Sequence, residues 1–96
     1  MRELRFTPAA QSDLEAIYDY SVAHWGTARA ERYVLDIRDA CAALATGERT
    51  GAAIDDVRPG YRRLAVGSHV LFFKPSAERI EIVRILHARM DVARHL

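Results

Sequence analysis

The alternation of apolar and polar residues divides the chain into a helical first half and a β-rich second half. Apolar residues recur at three- and four-residue steps from Pro8 to about His24, which predicts an amphipathic helix. The stripe of this helix comprises Ala10, Leu14, Ile17, Tyr18, Ser21 and Trp25. A more continuous stripe predicts a second helix from Ala28 to about Thr46. Its members are Ala30, Tyr33, Val34, Ile37, Ala40, Cys41 and Leu44.

Capping and turn residues set the limits of both helices. Thr7 is expected to cap the first helix, and Pro8 suits its first turn. Gly26 is expected to end that helix in a left-handed conformation, and Thr27 to cap the second. So short a connection makes the two helices an antiparallel hairpin. Residues 47–60, with three glycines, are expected to form a loop.

A period of two predicts strands at the start of the chain and again after Tyr61. The predicted strands are Arg2–Phe6, Arg62–Val66, His69–Lys74 and Arg79–His87, and residues 88–96 are expected to form a short helix or turn. In the last strand, Ile80, Ile82, Arg84 and Leu86 are expected on one face, and Glu81, Val83, Ile85 and His87 on the other. Both of its faces are largely apolar, which is typical of a central strand.

The order of elements, β-α-α-β-β-β, predicts an α+β fold in which a helical hairpin packs on a small antiparallel sheet. The first strand is expected to join that sheet. Because the chain has only 96 residues, residues 1–96 are interpreted as a single domain.

Charge is unevenly distributed, although the net charge is only +1. Residues 1–56 carry six arginines and ten acidic residues, a net of −4, whereas residues 57–96 carry eight basic and three acidic residues, a net of +5. This asymmetry favours a basic face for an acidic partner; the alternative is a set of scattered, solvated arginines. No membrane-spanning stretch or signal peptide is visible, and a lone cysteine cannot form an internal disulfide, so we expect a cytoplasmic protein.

The sequence offers little for most kinds of catalysis. The four histidines lack metal-binding spacing and Cys41 falls within a helical stripe, so neither a metal nor another cofactor is expected. General acid–base cleavage of RNA is the catalytic alternative, since Arg62, Arg63, Arg84, His69 and His87 could converge on one sheet. The same arginines could instead pair with carboxylates or line an interface.

Aromatic residues on the helical hairpin allow two interpretations. Tyr18, Trp25 and Tyr33 could belong to the core, or could form a rim that receives a partner peptide. Trp25, at the hairpin tip, is expected to be the most exposed of the three.

Three motifs relate the chain to a known family. One reads Gly60-Tyr61-Arg62-Arg63-x-x-x-Gly67-Ser68-His69-x-x-Phe72-Phe73. A second reads Ile80-Glu81-Ile82-Val83-Arg84-Ile85-Leu86-His87-x-x-Met90-Asp91, with His95-Leu96 after it. The N-terminal half contains Phe6-Thr7-x-x-Ala10-x-x-Asp13-Leu14-x-x-Ile17-x-x-Tyr20 and then His24-Trp25-Gly26. The first motif resembles the RelE/ParE toxin superfamily, and the other two resemble its ParE branch.

The resemblance implies a toxin of a bacterial type II toxin–antitoxin pair that inhibits DNA gyrase and is neutralised by a ParD-type antitoxin. RelE relatives instead cut messenger RNA on the ribosome, and a non-toxic antitoxin-binding module is a third possibility. The chain has a single lysine, no tyrosine after Tyr61, and Met90-Asp91 where nucleases carry a catalytic aromatic residue. These departures favour the gyrase branch, which implies no enzymatic activity and no direct contact with nucleic acid except through the antitoxin.

Candidate residues follow from this interpretation. The candidates for target contact are Arg62, Arg63, Arg84, His87, Arg89, Met90 and Asp91. The candidates for antitoxin contact are Tyr18, Trp25, Tyr33 and Ile37. A ribonuclease would use Arg63, Arg84 and His87.

Overall fold

The chain forms two long helices packed on a five-stranded sheet, with one further helical turn near residue 96. The structure, a computed structural model, describes all 96 residues. The elements are β1 (Glu3–Phe6), α1 (Pro8–Trp25), α2 (Thr27–Thr46), β2 (Ala52–Ala53), β3 (Arg62–Val66), β4 (His69–Pro75), β5 (Arg79–His87) and α3 (Val92–His95). Each predicted helix and strand is confirmed, and β2 is a short strand within the segment that was expected to be a loop.

The sheet has the strand order β1-β5-β4-β3-β2 and is mixed rather than wholly antiparallel. Strands β3, β4 and β5 form the predicted antiparallel meander, because tight turns join them. Strand β1 pairs in parallel with β5, from Glu3 opposite Arg79 to Phe6 opposite Ile82. No hairpin turn sets the direction of β1, since the two helices and the whole meander separate it from β5. The α+β class is confirmed, but the expectation of an entirely antiparallel sheet is wrong.

The helical hairpin turns at a single residue. Thr7 caps α1 as predicted, because its hydroxyl accepts the amide hydrogen of Ala10 at 3.1 Å. Gly26 has φ 88° and ψ 168°, so its φ is positive but its backbone is extended rather than left-handed helical. Thr27 is already the first residue of α2 and does not cap it. Both expectations for this turn therefore need correction: a one-residue connection leaves no position for a separate cap.

The main core lies between the helical hairpin and one face of the sheet. It contains 13 buried residues, among which Ile37 and Phe73 are almost completely inaccessible. Each such large apolar side chain contributes roughly 1.5–3 kcal/mol by leaving water. Cys41 belongs to this core, and burial raises the pKa of its thiol to about 12, so it packs as an apolar residue, as predicted. No helix of the chain has the length and apolar character needed to cross a membrane.

Strand β5 contains a bulge that changes which way its last residues face. Phe73 lies opposite Ile82 and Phe72 lies opposite Arg84, so Val83 has no partner on β4. The core consequently receives Ile85, whereas Leu86 packs on the other face of the sheet. The predicted alternation holds for Ile80 and Ile82 but is wrong after the bulge, because the extra residue shifts the register by one.

The outer face of the sheet has a smaller core of its own. Its four buried residues are Ile54, Val70, Phe72 and Leu86. The segment between β2 and β3 supplies Tyr61 as a partly buried cover, and the C-terminal segment supplies Val92 and Leu96. Arg58 ties the two covering segments together by donating to the carbonyl oxygen of Leu96. The sheet is therefore covered on both faces.

Candidate partner-binding site

A cavity of about 630 Å³ opens where the tip of the helical hairpin meets the end of the meander. We call it the hairpin-tip cavity. Its wall comes from α1 between Asp13 and Trp25, from Arg29 and Tyr33 of α2, from Ser68–His69, and from Arg84–His87 and Met90. Elements that are distant in sequence therefore meet at this one place.

Exposed apolar side chains surround the mouth of this cavity. Tyr20 is 58% exposed, Trp25 51% and Met90 42%, and all three contribute to the cavity wall. Ile17 is buried and also lines the wall. The exposure of Trp25 confirms the prediction made for the hairpin tip. Large apolar groups that stay this accessible beside a concave surface are typical of a binding site.

Tyr33 joins α2 to the turn between β3 and β4. Its hydroxyl oxygen accepts the amide hydrogen of Ser68 at 3.0 Å and lies 2.6 Å from Nδ1 of His69. The Tyr33 hydroxyl can donate either to Nδ1 of His69, at 2.6 Å, or to the carbonyl oxygen of Val66, at 3.4 Å, and we assign its hydrogen to the shorter contact. Neutral His69 then carries its own hydrogen on Nε2.

His87 completes a chain of aromatic rings along the cavity. The rings of His69 and His87 meet edge to face with centroids 5.4 Å apart, since the two residues are paired across β4 and β5. Nδ1 of His87 accepts the amide hydrogen of Arg89 at 3.2 Å, which again places the hydrogen of a neutral ring on Nε2. The pKa of His69 is lowered, chiefly by burial and then by the neighbouring His87.

Arg84 is held in an ion pair beside the cavity. Its Nε and one terminal nitrogen donate to the two carboxylate oxygens of Asp13, both at 2.8 Å, and its other terminal nitrogen donates to the carbonyl oxygen of His95 at 3.4 Å. Asp13 also accepts the amide hydrogen of Ile85 at 2.9 Å. The hydrogen bonds that Arg84 donates to Asp13 raise its pKa, so this guanidinium remains charged and bound to the carboxylate. The sequence had left open whether Arg84 pairs with a carboxylate, and it does.

A second cation lies at the rim of the cavity without an acidic partner. The guanidinium of Arg29 stacks over the ring of Trp25 at 5.3 Å from its centroid. Next to it, Tyr20 stacks on His24 with ring centroids 3.8 Å apart. The aromatic side chains at the hairpin tip are thus ordered by one another and by Arg29.

The structure does not bring the suggested ribonuclease residues together. Arg63 lies opposite Phe72 on β4, and Phe72 belongs to the outer face of the sheet. His87 lies opposite His69, which contacts Tyr33 on the helical face. Arg63 and His87 therefore occupy opposite faces, and Arg84 is already paired with Asp13.

The remaining candidates for target contact fall into two groups. Arg62 donates to the carbonyl oxygens of Thr50 and Gly51, both at 2.8 Å, and so holds the loop before β2. Asp91 caps α3 by accepting the amide hydrogen of Ala93. Arg63, His87, Arg89 and Met90 are exposed and free to meet a partner.

The candidates for antitoxin contact are also divided by the structure. Trp25 and Tyr33 line the hairpin-tip cavity, and Tyr18 is half-buried outside it. Ile37 has no exposed surface, so its inclusion was wrong: the helical stripe that suggested it is the part of α2 that faces the core.

Sequence reasoning missed the contributions of Arg29, Ser68 and Asp13. Arg29 precedes Tyr33 by one helical turn, and this spacing could have placed it on the same face. Ser68 was named only as a member of the motif that contains Gly67 and His69. Asp13 is not a member of the predicted apolar stripe of α1, and nothing local to it shows that Arg84, 71 residues later, is its partner.

These features define a small α+β protein in which exposed aromatic side chains surround one cavity, on a fold of the RelE/ParE kind. A family model described as the ParE toxin of the type II toxin–antitoxin system parDE matches residues 4–92. The chain therefore belongs to the ParE toxin family.

Individual relatives agree with this assignment. Toxin ParE1 of Mycobacterium tuberculosis is 46% identical over 91 residues, which cover 94% of this chain and 93% of the relative. Toxin ParE1 of Caulobacter vibrioides is 35% identical over 96 residues, covering 100% and 99%. A solved structure of the chromosomal ParDE system from P. aeruginosa superposes with a TM-score of 0.77 at 31% identity, covering 91% of this chain and 96% of that one.

Proposed function

We propose that this ParE-type toxin inhibits DNA gyrase by binding to it in the bacterial cytoplasm, without catalysing a reaction, and that a ParD-type antitoxin neutralises it. The observation that carries the proposal is the family match over residues 4–92, which includes both the helical hairpin and the basic meander. The separation of Arg63 from His87 on opposite faces supports a contact surface rather than a nuclease centre.

The proposed gyrase contacts are exposed residues of the meander and of the turn after it. None of these side chains packs in either core; the residues are Arg63, His87, Arg89 and Met90. Arg62 holds the loop before β2, and Asp91 caps α3. Arg84 is engaged in its ion pair with Asp13.

A supercoiling assay with purified gyrase tests the target. The unmodified toxin is expected to abolish supercoiling at saturation, and the double variant Arg89→Ala/Met90→Ala is expected to need at least about tenfold more protein. Arg32→Ala, an exposed arginine of α2 outside the cavity, serves as the control. Unchanged supercoiling at saturating toxin would contradict the proposal.

The antitoxin is proposed to bind at the hairpin-tip cavity and along the adjacent edge of the hairpin. Trp25 provides the anchor there, with Tyr33 behind it and Tyr18 at the side. The predominantly acidic hairpin suits an antitoxin segment that is basic overall.

Binding of the antitoxin encoded with this toxin can be measured by calorimetry. Trp25→Ala is expected to weaken it at least about tenfold. Leu35→Ala removes an apolar side chain of α2 that is 55% exposed but does not line the cavity, and it is expected to leave the affinity unchanged. Equal affinities for the unmodified toxin and Trp25→Ala would refute the hairpin-tip assignment.

One observation favours a second candidate function, ribosome-dependent cleavage of messenger RNA. His69 and His87 lie close enough in the cavity wall to share acid–base work. An in vitro translation assay with primer extension separates the candidates: cut messenger that disappears in His87→Ala would establish the nuclease. Harmless expression in the host would instead favour a module that only binds antitoxin.

A further inference from the structure

Several hydrogen-bond donors in the wall of the hairpin-tip cavity have no partner in the protein. With Nδ1 of His69 and of His87 both accepting hydrogen bonds, the Nε2–H group of each ring is left without a partner in the protein. Arg29 stacks on Trp25 and forms no ion pair. The one carboxylate of the wall, Asp13, is already shared between Arg84 and the amide of Ile85. An occupant that fits this wall must therefore bring an acceptor.

Electrostatics favours an acceptor that carries a negative charge. The groups facing His69 are Tyr33 on α2, His87 on β5 and Asp13 on α1, with Arg84 and Arg29 elsewhere in the wall. Burial and then His87 lower the pKa of His69, and Asp13 opposes them only in part. A bound anion would stabilise the protonated form of either histidine, so binding and protonation would reinforce each other.

The rest of the wall is apolar and favours a compact apolar body attached to that charge. Ile17, Ile85 and Met90 form an aliphatic surface. One face of Trp25 is covered by Arg29, and Tyr20 is stacked with His24, which leaves poor platforms for nucleobases. The net charge of −4 over residues 1–56 also disfavours a polyanion. A peptide with one acidic group meets both requirements.

We propose that the hairpin-tip cavity binds a peptide segment in which one carboxylate adjoins an apolar side chain. The carboxylate accepts hydrogen bonds from Nε2 of His69 and Nε2 of His87, and the apolar side chain packs against Ile17 and Met90. This inference rests on the proposed function only in assigning the segment to the antitoxin; the chemistry of the cavity stands independently of it.

A small probe tests the recognition chemistry without any antitoxin. N-acetyl-L-leucine carries a carboxylate beside an aliphatic side chain, and N-acetyl-L-leucinamide is its uncharged match. In NMR titrations of the full chain, the acid is expected to shift the Cε1–H signals of His69 and His87 and to leave those of His24 and His95 in place. Its affinity is expected to rise as the pH falls toward 5, because burial lowers the pKa of His69 and a bound carboxylate, which remains charged there, favours the protonated ring.

Two variants locate the binding. His87→Ala, at an exposed strand end, is expected to weaken binding of the acid by about tenfold, since one charge-assisted hydrogen bond is lost. Arg94→Ala removes a cation whose side chain is 83% exposed and which is not part of the cavity, and it is expected to bind normally. Amide spectra of both variants verify that the fold is unchanged.

Each alternative outcome would overturn the inference in a different way. Equal binding of the acid and the amide would show an apolar pocket without charge recognition. Tighter binding of adenosine monophosphate would show a nucleotide site. No shift of the His69 and His87 signals at saturating acid would show that the cavity does not bind the carboxylate probe. If the acid binds as expected but Trp25→Ala leaves antitoxin affinity unchanged, the cavity chemistry stands and only the assignment to the antitoxin fails.

Discussion

Asp13 accepts a backbone hydrogen bond from β5 that a neighbouring strand would otherwise accept. Strand β1 stops pairing with β5 at Ile82, so the next backbone groups of β5 lack a neighbouring strand. The hydroxyl of Thr7 donates to the carbonyl oxygen of Val83 at 2.7 Å, and Asp13 accepts from the amide of Ile85. The same carboxylate holds Arg84 through two hydrogen bonds. The side chains of Thr7, which caps α1, and of Asp13 within α1 thus bind the backbone groups of β5 that β1 leaves unpaired.

Asp13→Ala is therefore expected to destabilise the protein by about 2–3 kcal/mol. The change leaves the guanidinium of Arg84 without its carboxylate and the amide of Ile85 without its acceptor. The estimate lies at the lower end for buried pairs because the side chains remain 15% and 24% exposed. Urea unfolding followed by circular dichroism measures the loss.

Asp19→Ala is the matched control for this prediction. Asp19 lies on the same helix, is exposed and makes no hydrogen bond or ion pair, so its removal should change the free energy of unfolding by less than about 0.5 kcal/mol. Equal effects of the two substitutions would mean that Asp13 contributes only ordinary helix propensity.

At the scale of elements, the turn between β3 and β4 is fixed by its contact with α2. Gly67 has φ +57°, and a Cβ atom added there would lie 2.6 Å from Cε1 of Tyr33. The neighbouring amide of Ser68 donates to the Tyr33 hydroxyl. The turn consequently needs glycine for two separate reasons, its backbone conformation and the close approach of an aromatic ring.

Gly67→Ala and Gly47→Ala separate those two reasons. Gly47 ends α2 with φ +82° and has open space around it, so alanine there should cost only the roughly 1–2 kcal/mol of a left-handed residue. Gly67→Ala should cost about 1–3 kcal/mol more, since it also displaces Tyr33. Thermal unfolding of both variants supplies the comparison. A cost at Gly67 no greater than that at Gly47 would show that Tyr33 moves away without penalty.

The predictability of the elements follows from how local their signals are. The regular spacing of apolar residues makes α1 and α2 predictable. Turn residues do the same for the two-residue turn before His69. The bulge at Val83 was not, because both faces of β5 are largely apolar, so a one-residue change of register leaves no clear mark in the pattern. The cavity was predictable only in part. The exposure of Trp25 was predicted from its position at the hairpin tip, but the pairing of Tyr33 with His69 depends on tertiary contact and has no local signal.

At the scale of the whole molecule, the sheet separates two unequal cores. The helical hairpin covers 13 buried residues on one face, whereas a loop and the last few residues cover four on the other. Folding therefore depends mainly on the hairpin side. The outer cover shields an apolar surface, and it also adjoins Arg84, whose guanidinium donates to the carbonyl oxygen of His95. The C-terminal segment thus lies between the smaller core and the ion pair beside the cavity.

Deleting Val92–Leu96 should leave a folded but less stable protein. The deletion exposes Val70, Phe72 and Leu86 in part, and the lost burial of two apolar side chains costs about 1–3 kcal/mol. Cooperative unfolding and the helical signal should persist, because the larger core lies on the other face, while binding of a hydrophobic dye should increase. Ala93→Ser, at an exposed position, should change neither property. Loss of cooperative unfolding in the deletion variant would mean that the two faces fold as one unit and that the smaller core is indispensable.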